Sequence, residues 1–495
     1  MNRKGISLAI FLLFVFMMPV AAQFNQSPTP IAPATPEAGA RFGDELVTGD
    51  VNGDGLPDVI VGIPHADGGG RRDVGQVAIY FGGSNFGARV GATLQAPDPV
   101  DDAHFGAVLA TGDVNGDGID DILVGAPGAT AGDQVDAGLV YIFHGDRTFD
   151  TSSDRTLQAP TPQADARFGV SIAVGDFNGG GADIVVGANL TDITTGQAPM
   201  QTTVRDAGQA YVFFGPGFDA NTATLQATTP EAGARFGTAV AAANLNNDGF
   251  KDVVVAGDRT DVMAMTPQPN AGEAVVFFGA MPAQGSMTQL DTTLDLTLRG
   301  VTIQAGAGFG RMIVAGDVNG DGIEDVVISA PLFDTSATLR DVGEAYVFQG
   351  AANITGTPAA NATIRGPLAS FSYFGASLAL GDVDGDGIND ITAGAPGSEI
   401  AGQASAGRVF ILLSGVQFTG VLSTSVALQA PIPQNGTAEA NAEFGRAVAA
   451  ADLDQDGLAD VIVGAPGATV NNLSEAGRGY VFFSSAPTVP FVANP

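Results

Sequence analysis

Seven of the Phe-Gly dipeptides in this 495-residue chain divide most of it into intervals of similar length. An internal repeat of this kind is typical of structural arrays and propellers. Within one interval, residues 105–160 contain four short runs rich in β-branched or aromatic residues, separated by Gly, Pro and Asp turn signals. Four strands in each of seven units predict an all-β fold, a seven-bladed β-propeller of four-stranded antiparallel blades. The repeats begin at Phe42, Phe105, Phe168, Phe236, Phe309, Phe374 and Phe444.

The two ends of the chain indicate how the ring closes. The stretch that follows Phe444 is shorter than the interval from Phe42 to Phe105 by the length of a fourth strand and its connection, so the last blade lacks that strand. In the register of the other repeats, residues 30–33 correspond to residues 156–159, so we expect the N-terminal segment to supply this strand and hide an open edge. Residues 489–492 are the competing candidate. Both segments contain proline, which an edge strand tolerates.

An acidic nine-residue loop occurs in five of the seven repeats. Each copy has Asp or Asn at positions 1, 3, 5 and 9 and glycine at position 6. This spacing suits a hard cation, because a tight turn directs alternate side chains inward, position 7 can add a carbonyl, and glycine permits the reversal. We therefore expect about five calcium sites. Their candidate ligands are Asp50, Asn52, Asp54 and Asp58; Asp113, Asn115, Asp117 and Asp121; Asp317, Asn319, Asp321 and Asp325; Asp382, Asp384, Asp386 and Asp390; and Asp452, Asp454, Asp456 and Asp460.

The setting of these loops differs from that of an EF-hand. An EF-hand loop closes with Glu at position 12 between two helices, whereas here the ninth residue closes the loop and β-branched runs follow it. A single copy would indicate a solvated turn, but five copies in one register favour calcium. Two repeats depart from the pattern. Residues 176–183 are one residue short and lack the carboxylate at position 5, so we expect no metal there; residues 244–252 contain Lys251, so we expect a weak or empty site.

The order of short motifs within each unit resembles a known repeat. Phe-Gly, Asp-x-(Asp/Asn)-x-Asp-Gly-x-x-Asp, Gly-Ala-Pro and Gly-x-x-Tyr-(Val/Ile)-Phe follow one another along the unit. This order is similar to the FG-GAP repeat of integrin α-subunit head domains and their bacterial relatives. The resemblance covers almost the whole chain beyond residue 22. It implies a seven-bladed propeller with calcium sites in several blade loops and a role in extracellular recognition and cell adhesion.

Residues 1–22 have the features of a secretory signal. Arg3 and Lys4 precede an apolar stretch at residues 6–20, and Val-Ala-Ala stands before Gln23. We expect cleavage there, which leaves residues 23–495 as a single propeller domain in an extracellular, cell-surface or periplasmic location. No later segment of the sequence is long and apolar enough to span a membrane. Because the chain has no cysteine, disulfides and a lipid-modified cysteine are excluded.

The charge balance limits the possible partners. The formal net charge is -33, and removal of Arg3 and Lys4 changes it to -35. Such a surface cannot neutralise phosphates, so binding to nucleic acid or to an anionic membrane is disfavoured. We expect a monomer that binds an extracellular protein or polysaccharide.

Two alternatives to a binding module are a carbohydrate-active lyase or hydrolase on a propeller scaffold and a structural surface protein. An enzyme would gather a nucleophile, a base or open metal ligands in one cleft. The sequence has no such cluster, so we predict no catalytic residues and no enzyme. His65, His104 and His144 lie in different repeats and lack the spacing of metal ligands. We expect the seven phenylalanines to pack blade against blade rather than to form an aromatic cage.

The loops that join strands 2 and 3 are the candidate recognition surface. They differ most in length, and residues 189–207 and 258–271 are the longest. Residues 65–73, which contain a rare basic cluster, form the same loop in the first repeat. In an antiparallel blade these loops lie on the face opposite the acidic loops, and variable loops on a rigid scaffold commonly bind ligands. We therefore predict that the ligand binds that face near blades one, three and four.

Overall fold

In a computed structural model, the protein consists of seven four-stranded antiparallel sheets, each of which is one blade. The structure describes residues 23–24, 27–83, 86, 90–197, 200–218, 222–263, 266–280, 290, 292–366, 369–415, 418–432 and 437–485. No α-helix occurs in these ranges. The first strands of neighbouring blades contact each other around the ring, and those of blades seven and one complete it. The predicted seven-bladed propeller is therefore confirmed.

The strands of blades one to four follow one another along the chain. Blade one contains Glu45–Gly49, Asp58–Ile63, Gln76–Tyr80 and Ala92–Leu94. Blade two contains Val108–Gly112, Asp121–Ala126, Leu139–Phe143 and Arg155–Leu157. Blade three contains Phe168–Gly175, Asp183–Ala188, Gln209–Phe213 and Thr222–Leu225, with a hairpin of Ile193–Thr195 and Thr202–Val204 between its second and third strands. Blade four contains Phe236–Ala243, Asp252–Gly257, Glu273–Phe277 and Leu296–Leu298, with a hairpin of Val262–Met263 and Pro267–Gln268 at the same place.

Blades five to seven have the same order of strands, with one extra strand within the chain segment of blade six and one extra strand pair beside blade seven. Blade five contains Ile313–Gly316, Asp325–Ala330, Glu344–Phe348 and Ala362–Arg365. Blade six contains Ser377–Gly381, Asp390–Ala395, Arg408–Leu412 and Val426–Leu428. Blade seven contains Val448–Ala451, Asp460–Ala465, Arg478–Phe482 and the N-terminal strand Thr29–Ile31, and Gln23–Phe24 pairs with Ser484–Ser485 beside it.

The N-terminal segment closes the ring. Thr29–Ile31 pairs antiparallel with Arg478–Phe482, with Pro30 opposite Tyr480. Ile31 is buried, so this strand covers apolar surface as well as an open edge. The prediction that the N-terminal segment closes the ring is confirmed, with the strand at residues 29–31 rather than 30–33, whereas the competing segment 489–492 lies outside the described residues.

The second strand of every blade is buried along its whole length, because it lies in the middle of a sheet that neighbouring blades cover on both sides. One apolar cluster shows this stacking: Val77 and Ile79 of blade one pack with Ile122 and Val124 of blade two. Burying a Val or Ile side chain stabilises the folded state by about 1.5–3 kcal/mol. The β-branched runs of the sequence thus form the layers between blades.

The Phe-Gly dipeptides that begin the repeats join each blade to the preceding one. The backbone N–H of Phe168 donates to the carbonyl of Ala137 in blade two at 2.8 Å, and the other six phenylalanines make the corresponding bond. All seven rings are buried. Gly138 lies beside Phe168 with φ +88°, and a Cβ there would be 2.0 Å from the Phe168 carbonyl oxygen. The seven buried rings confirm that the phenylalanines of Phe-Gly pack between blades. Gly138, which belongs to the preceding blade, is required because only glycine fits this close approach.

One strand crosses between blades, which the repeat does not predict. Gly420–Ser423 lies between the third and fourth strands of blade six and pairs parallel with Ala362–Arg365, the outer strand of blade five. Phe418, just before it, is buried in the apolar cluster shared by the two blades. The added strand covers the hydrogen-bonding edge of blade five.

Candidate metal centres and the opposite face

Each of the five acidic loops lies between the first and second strands of its blade. In blade one, for example, the first strand ends at Gly49 and the second begins at Asp58. The glycine at position 6 has φ between +82° and +89° in all five copies, a left-handed conformation that suits glycine. All five loops therefore lie on one face of the ring and have the predicted turn.

The side chains at positions 1, 3 and 5 point into their own turn. In blade one, Asp50 accepts hydrogen bonds from the backbone N–H groups of Asp54 and Gly55 at 3.1 and 2.8 Å. Asn52 Oδ1 accepts from the N–H of Asp54 at 2.9 Å, and Asp54 Oδ1 accepts from that of Leu56 at 2.9 Å. Alternate oxygens thus line one small space, which is the arrangement that the spacing predicts.

Two loops bring three carboxylate groups together. One ligand oxygen from each of Asp382, Asp384 and Asp390 lies within 4.8 Å of the others, and the same is true of Asp452, Asp454 and Asp456. Calcium binds oxygens at about 2.3–2.6 Å, so two oxygens on opposite sides of one ion are about 5 Å apart. The donor atoms and their separation therefore fit this ion.

The other three intact loops have Asn at position 3, and its amide bridges two parts of the turn. Asn52 Nδ2 donates to Asp58 Oδ1 at 3.2 Å, and Asn319 Nδ2 donates to Asp325 Oδ1 at 3.2 Å. In blade two, Asn115 Nδ2 donates to the carboxylate at position 5. These loops keep an oxygen at every candidate position but have three carboxylates rather than four.

The aspartate at position 9 has a structural role in all seven blades. It is buried, with an exposed fraction of 0–1%. Asp58 accepts hydrogen bonds from the N–H of Val51 at 3.0 Å and from that of Gly82, beyond the third strand, at 2.8 Å. Asp183, in the shortened loop of blade three, accepts the same pair of bonds at 3.0 and 2.8 Å. This residue therefore ties the loop to the third strand whether or not the other ligand positions are intact.

Burial makes these position 9 carboxyl groups difficult to ionise. It raises the pKa of Asp58, Asp390 and Asp460 to about 7 and that of Asp325 to about 6, although their backbone hydrogen bonds oppose the shift. Other carboxylates of the same loop raise these pKa values further. A cation in the loop would favour the ionised forms. The electrostatics of the loops thus fit a bound cation.

Adjacent acidic loops are connected to each other. The N–H of Asp120, at position 8 in blade two, donates to the carbonyl of Asp50 in blade one at 3.0 Å. In blade four the residue at position 8 is Lys251, and its ammonium group pairs with Glu324 of blade five at 2.5 Å. The lysine therefore neutralises a carboxylate of the neighbouring blade. The spacing within one repeat gives no signal for this contact.

The opposite face carries most of the exposed apolar side chains. Among the described residues, eight large apolar side chains are exposed, and seven of them lie on loops joining strands 2 and 3 or joining one blade to the next. Met200 and Met263, in the two extra hairpins, are 84% and 74% exposed. The other five are Val135, Val301, Leu332, Phe371 and Ile432. The eighth, Val421, is on the strand that crosses between blades.

The structure changes the interpretation of the basic loop at residues 65–73. Arg72 forms an ion pair with Asp102 at 2.8 Å, so part of the positive charge of this loop is neutralised. The rings of His65 and His104, which come from different repeats, lie 4.8 Å apart, and His65 Nδ1 is 3.2 Å from Asp73 Oδ1. The sequence spacing does not reveal this pair.

Comparison with known proteins agrees with the pattern of intact repeats. The FG-GAP repeat model matches residues 42–80, 105–143, 309–348, 374–412 and 444–482, which are the five repeats with intact acidic loops. The chain is 41% identical to integrin alpha-PS5 of Drosophila melanogaster over 169 residues, 33% of this chain and 16% of that protein. It is 36% identical to integrin alpha-5 of Xenopus laevis over 199 residues, 39% of this chain and 18% of that protein.

A different class of protein also matches. Phosphatidylinositol-glycan-specific phospholipase D of Bos taurus is 25% identical over 330 residues, 63% of this chain and 38% of that protein. The chain thus spans less than a fifth of the length of the two integrin subunits and well under half of the phospholipase. It contains FG-GAP repeats and an integrin-alpha-like β-propeller.

Proposed function

We propose that this integrin-alpha-like propeller is a secreted recognition module that calcium stabilises and that binds an extracellular protein or polysaccharide. The difference between its two faces is the observation that carries the proposal. One face holds the acidic loops, and the other holds seven of the eight exposed large apolar side chains in the described part of the chain. These side chains are on loops of a rigid scaffold, where binding residues are commonly found.

The acidic loops would hold calcium through the oxygens at positions 1, 3, 5 and 9. Bound calcium would supply positive charge to each loop and favour the folded loop over the unfolded chain. The hydrogen bonds between neighbouring loops, such as that from Asp120 to Asp50, would link these sites around the face. A stiffened scaffold of this kind would present the loops of the other face with little loss of conformational entropy on binding.

Secretion is part of the same proposal. Residues 1–22, which lie outside the described part of the chain, would be cleaved as a signal, and residues 23–495 would act as one domain. Within the described residues, no helix has the length and apolar character needed to cross a bilayer.

The proposal is tested by a binding screen with glycans and matrix proteins, run with calcium and with a chelator. For a ligand found in this way, shortening the loop at residues 189–207 should abolish binding without reducing calcium-dependent stability. The variant Asp384→Ala should have the reverse effect. If only Asp384→Ala loses binding, the ligand binds the acidic face and the assignment of the recognition face is wrong.

The phospholipase match supports an enzyme as the second candidate. A catalytic propeller would turn over a substrate in the same screen, and product analysis by mass spectrometry would detect it. A structural surface protein, the third candidate, would self-associate through blade edges. Elution of the purified chain as a monomer would count against that role.

A further inference from the structure

A cavity of about 780 Å³ lies on the face opposite the acidic loops. Its lining comes from five successive blades, four to seven and one, so the cavity is at the centre of the face, where the blades converge. Arg41, Arg259, Arg311 and Arg446 contribute to this lining. Arginines are thus concentrated at one place in a chain whose formal net charge is -33.

Residues that precede the seven Phe-Gly dipeptides at the repeat starts contribute to this face, and four of them, Arg41, Gly308, Tyr373 and Glu443, line the cavity. All seven have φ between +54° and +66°. Arg167 and Arg235 are two of them, and their N–H groups donate to the carbonyls of Asp136 and Asp206 in the preceding blades at 3.2 Å. The backbone of these arginines is therefore fixed at the start of the first strand, which is the strand nearest the axis of the ring.

The arginines on one side of the cavity lack matching acids. Arg41 and Arg446 pair with acidic residues nearby. On the other side, Arg311 pairs with buried Asp258 at 3.2 Å. Arg167, Arg235 and Arg259 make no ion pair with any described residue. Burial lowers the pKa of Arg235, and the nearby guanidinium groups of Arg259, Arg311 and Arg167 lower it further.

The lining on this side therefore contains the guanidinium groups of Arg259 and Arg311 and one carboxylate, that of Asp258. Arg235 and Arg167 lie outside the lining, but Arg235 is close enough to Arg259 and Arg311 to add to the positive charge. Like charges at short distance repel each other, and an anion placed among them would relieve the repulsion. Guanidinium groups bind carboxylates with two parallel hydrogen bonds, and such bonds are about twice as strong as neutral ones. The charge and the geometry of the donors both favour a ligand that carries carboxylates.

The apolar part of the lining distinguishes between carboxylate ligands. Pro331, Leu332 and Tyr373 line the cavity beside the arginines, and Leu332 is 43% exposed. The hydroxyl groups of an acidic sugar would lose hydrogen bonds with water against Pro331 and Leu332. A peptide can place an apolar side chain there and a carboxylate against the arginines. Tyrosine and arginine, both present in this lining, are enriched among the residues that contribute most to binding at protein interfaces.

We propose that this cavity binds an acidic segment of a partner protein, with its carboxylates on Arg259 and Arg311 and an apolar side chain against Leu332. The proposal rests on the recognition function given above and names the chemistry of the partner. It adds a contact between the loops of blades four and five, near the axis, to the loop surface of the proposed function.

The test uses the full chain in calcium and a fluorescent six-residue peptide of alternating glutamate and leucine. Arg259→Gln is the main variant because Arg259 is exposed and makes no ion pair with any described residue. Arg340→Gln is the control, since Arg340 is exposed on the same face but lies outside the cavity lining. We expect Arg259→Gln to weaken binding about tenfold, because one charge-assisted contact is lost. We expect Arg340→Gln to bind as the unchanged chain does.

Four results would overturn the proposal, and three of them need only the peptides. These are no binding of the peptide by the unchanged chain, equal affinity of Arg259→Gln, and equal binding of a peptide with glutamine in place of glutamate. Binding of a galacturonic acid oligomer but not of the peptide would also overturn it. A ligand from the screen that binds the Arg259→Gln variant normally would leave the recognition function intact and refute only the cavity. If no ligand is found in the screen, the peptide experiment still tests the cavity by itself.

Discussion

Removing the buried aspartate from two blades separates its structural role from its proposed role as a calcium ligand. Asp390 and Asp183 occupy the same position, but only Asp390 belongs to an intact acidic loop. Asp390 accepts N–H hydrogen bonds from Val383 and Ser414 at 2.9 and 2.7 Å. Asp183 accepts its two bonds at 3.0 and 2.8 Å. Each substitution by alanine leaves two backbone donors without their acceptor.

The expected destabilisation follows from these contacts. An unsatisfied buried N–H costs about 1–3 kcal/mol, so either alanine variant should lower the free energy of unfolding by about 2–6 kcal/mol when calcium is absent. If calcium is present at about ten times its dissociation constant, a bound site adds about 1.4 kcal/mol. The variant Asp390→Ala should lose this amount as well, whereas Asp183→Ala should show the same cost with and without calcium.

Equilibrium urea unfolding of both variants, with calcium and with a chelator, measures these quantities. The variant Asp384→Ala is the matched control, since Asp384 accepts one backbone N–H at 3.3 Å and should matter mainly when calcium is present. A cost below about 1 kcal/mol for Asp183→Ala would refute the structural role. Equal calcium dependence of Asp390→Ala and Asp183→Ala would refute the metal assignment.

Three further predictions concern the whole ring. Five independent calcium sites, each worth about 1.4 kcal/mol at tenfold excess, would add about 7 kcal/mol, so chelation should lower the melting temperature in calorimetry; no shift on calcium titration would contradict the metal sites. Deletion of residues 23–34 should expose the edge of blade seven and cause aggregation, whereas deletion of residues 489–495 should cause less aggregation. If light scattering shows more aggregation of the C-terminal deletion, N-terminal closure is contradicted. Gly138→Ala should lower the free energy of unfolding by about 2–4 kcal/mol, because it strains the backbone and displaces the Phe168 carbonyl. Gly132→Ala, at φ +61° in open space, should lower it by about 1–2 kcal/mol. Equal melting temperatures of these two variants would contradict this interblade contact.

The fold was predictable because its main determinants are periodic. A buried phenylalanine at the start of every first strand must recur with the blade, so the spacing of Phe-Gly gives both the number of blades and their boundaries. The shortfall after Phe444 follows from the same period and predicts closure by the N-terminus. The strand Gly420–Ser423 was not predictable, since it occurs once and its partner is in another blade.

The site was predictable only where one loop contains the whole arrangement. The candidate calcium ligands of each loop lie close together in sequence, so their spacing alone indicates a common centre. The role of Asp58 depends on the distant N–H of Gly82, beyond the third strand, which sequence spacing does not reveal.

The cationic cavity illustrates the same limit more strongly. Arg259 and Arg311 line it, and Arg235 and Arg167 lie near them. These four arginines are far apart in the chain, and none has a basic neighbour in sequence. The sequence instead draws attention to Arg71 and Arg72, which are adjacent, yet the structure pairs Arg72 with an acid. In a closed ring, equivalent positions of successive repeats become neighbours at the axis, so a charge cluster there has the period of the blade rather than a local pattern. Charged residues should therefore be compared at equivalent positions of the repeats. At the position before Phe-Gly, this acidic chain has an arginine in blades one, three and four.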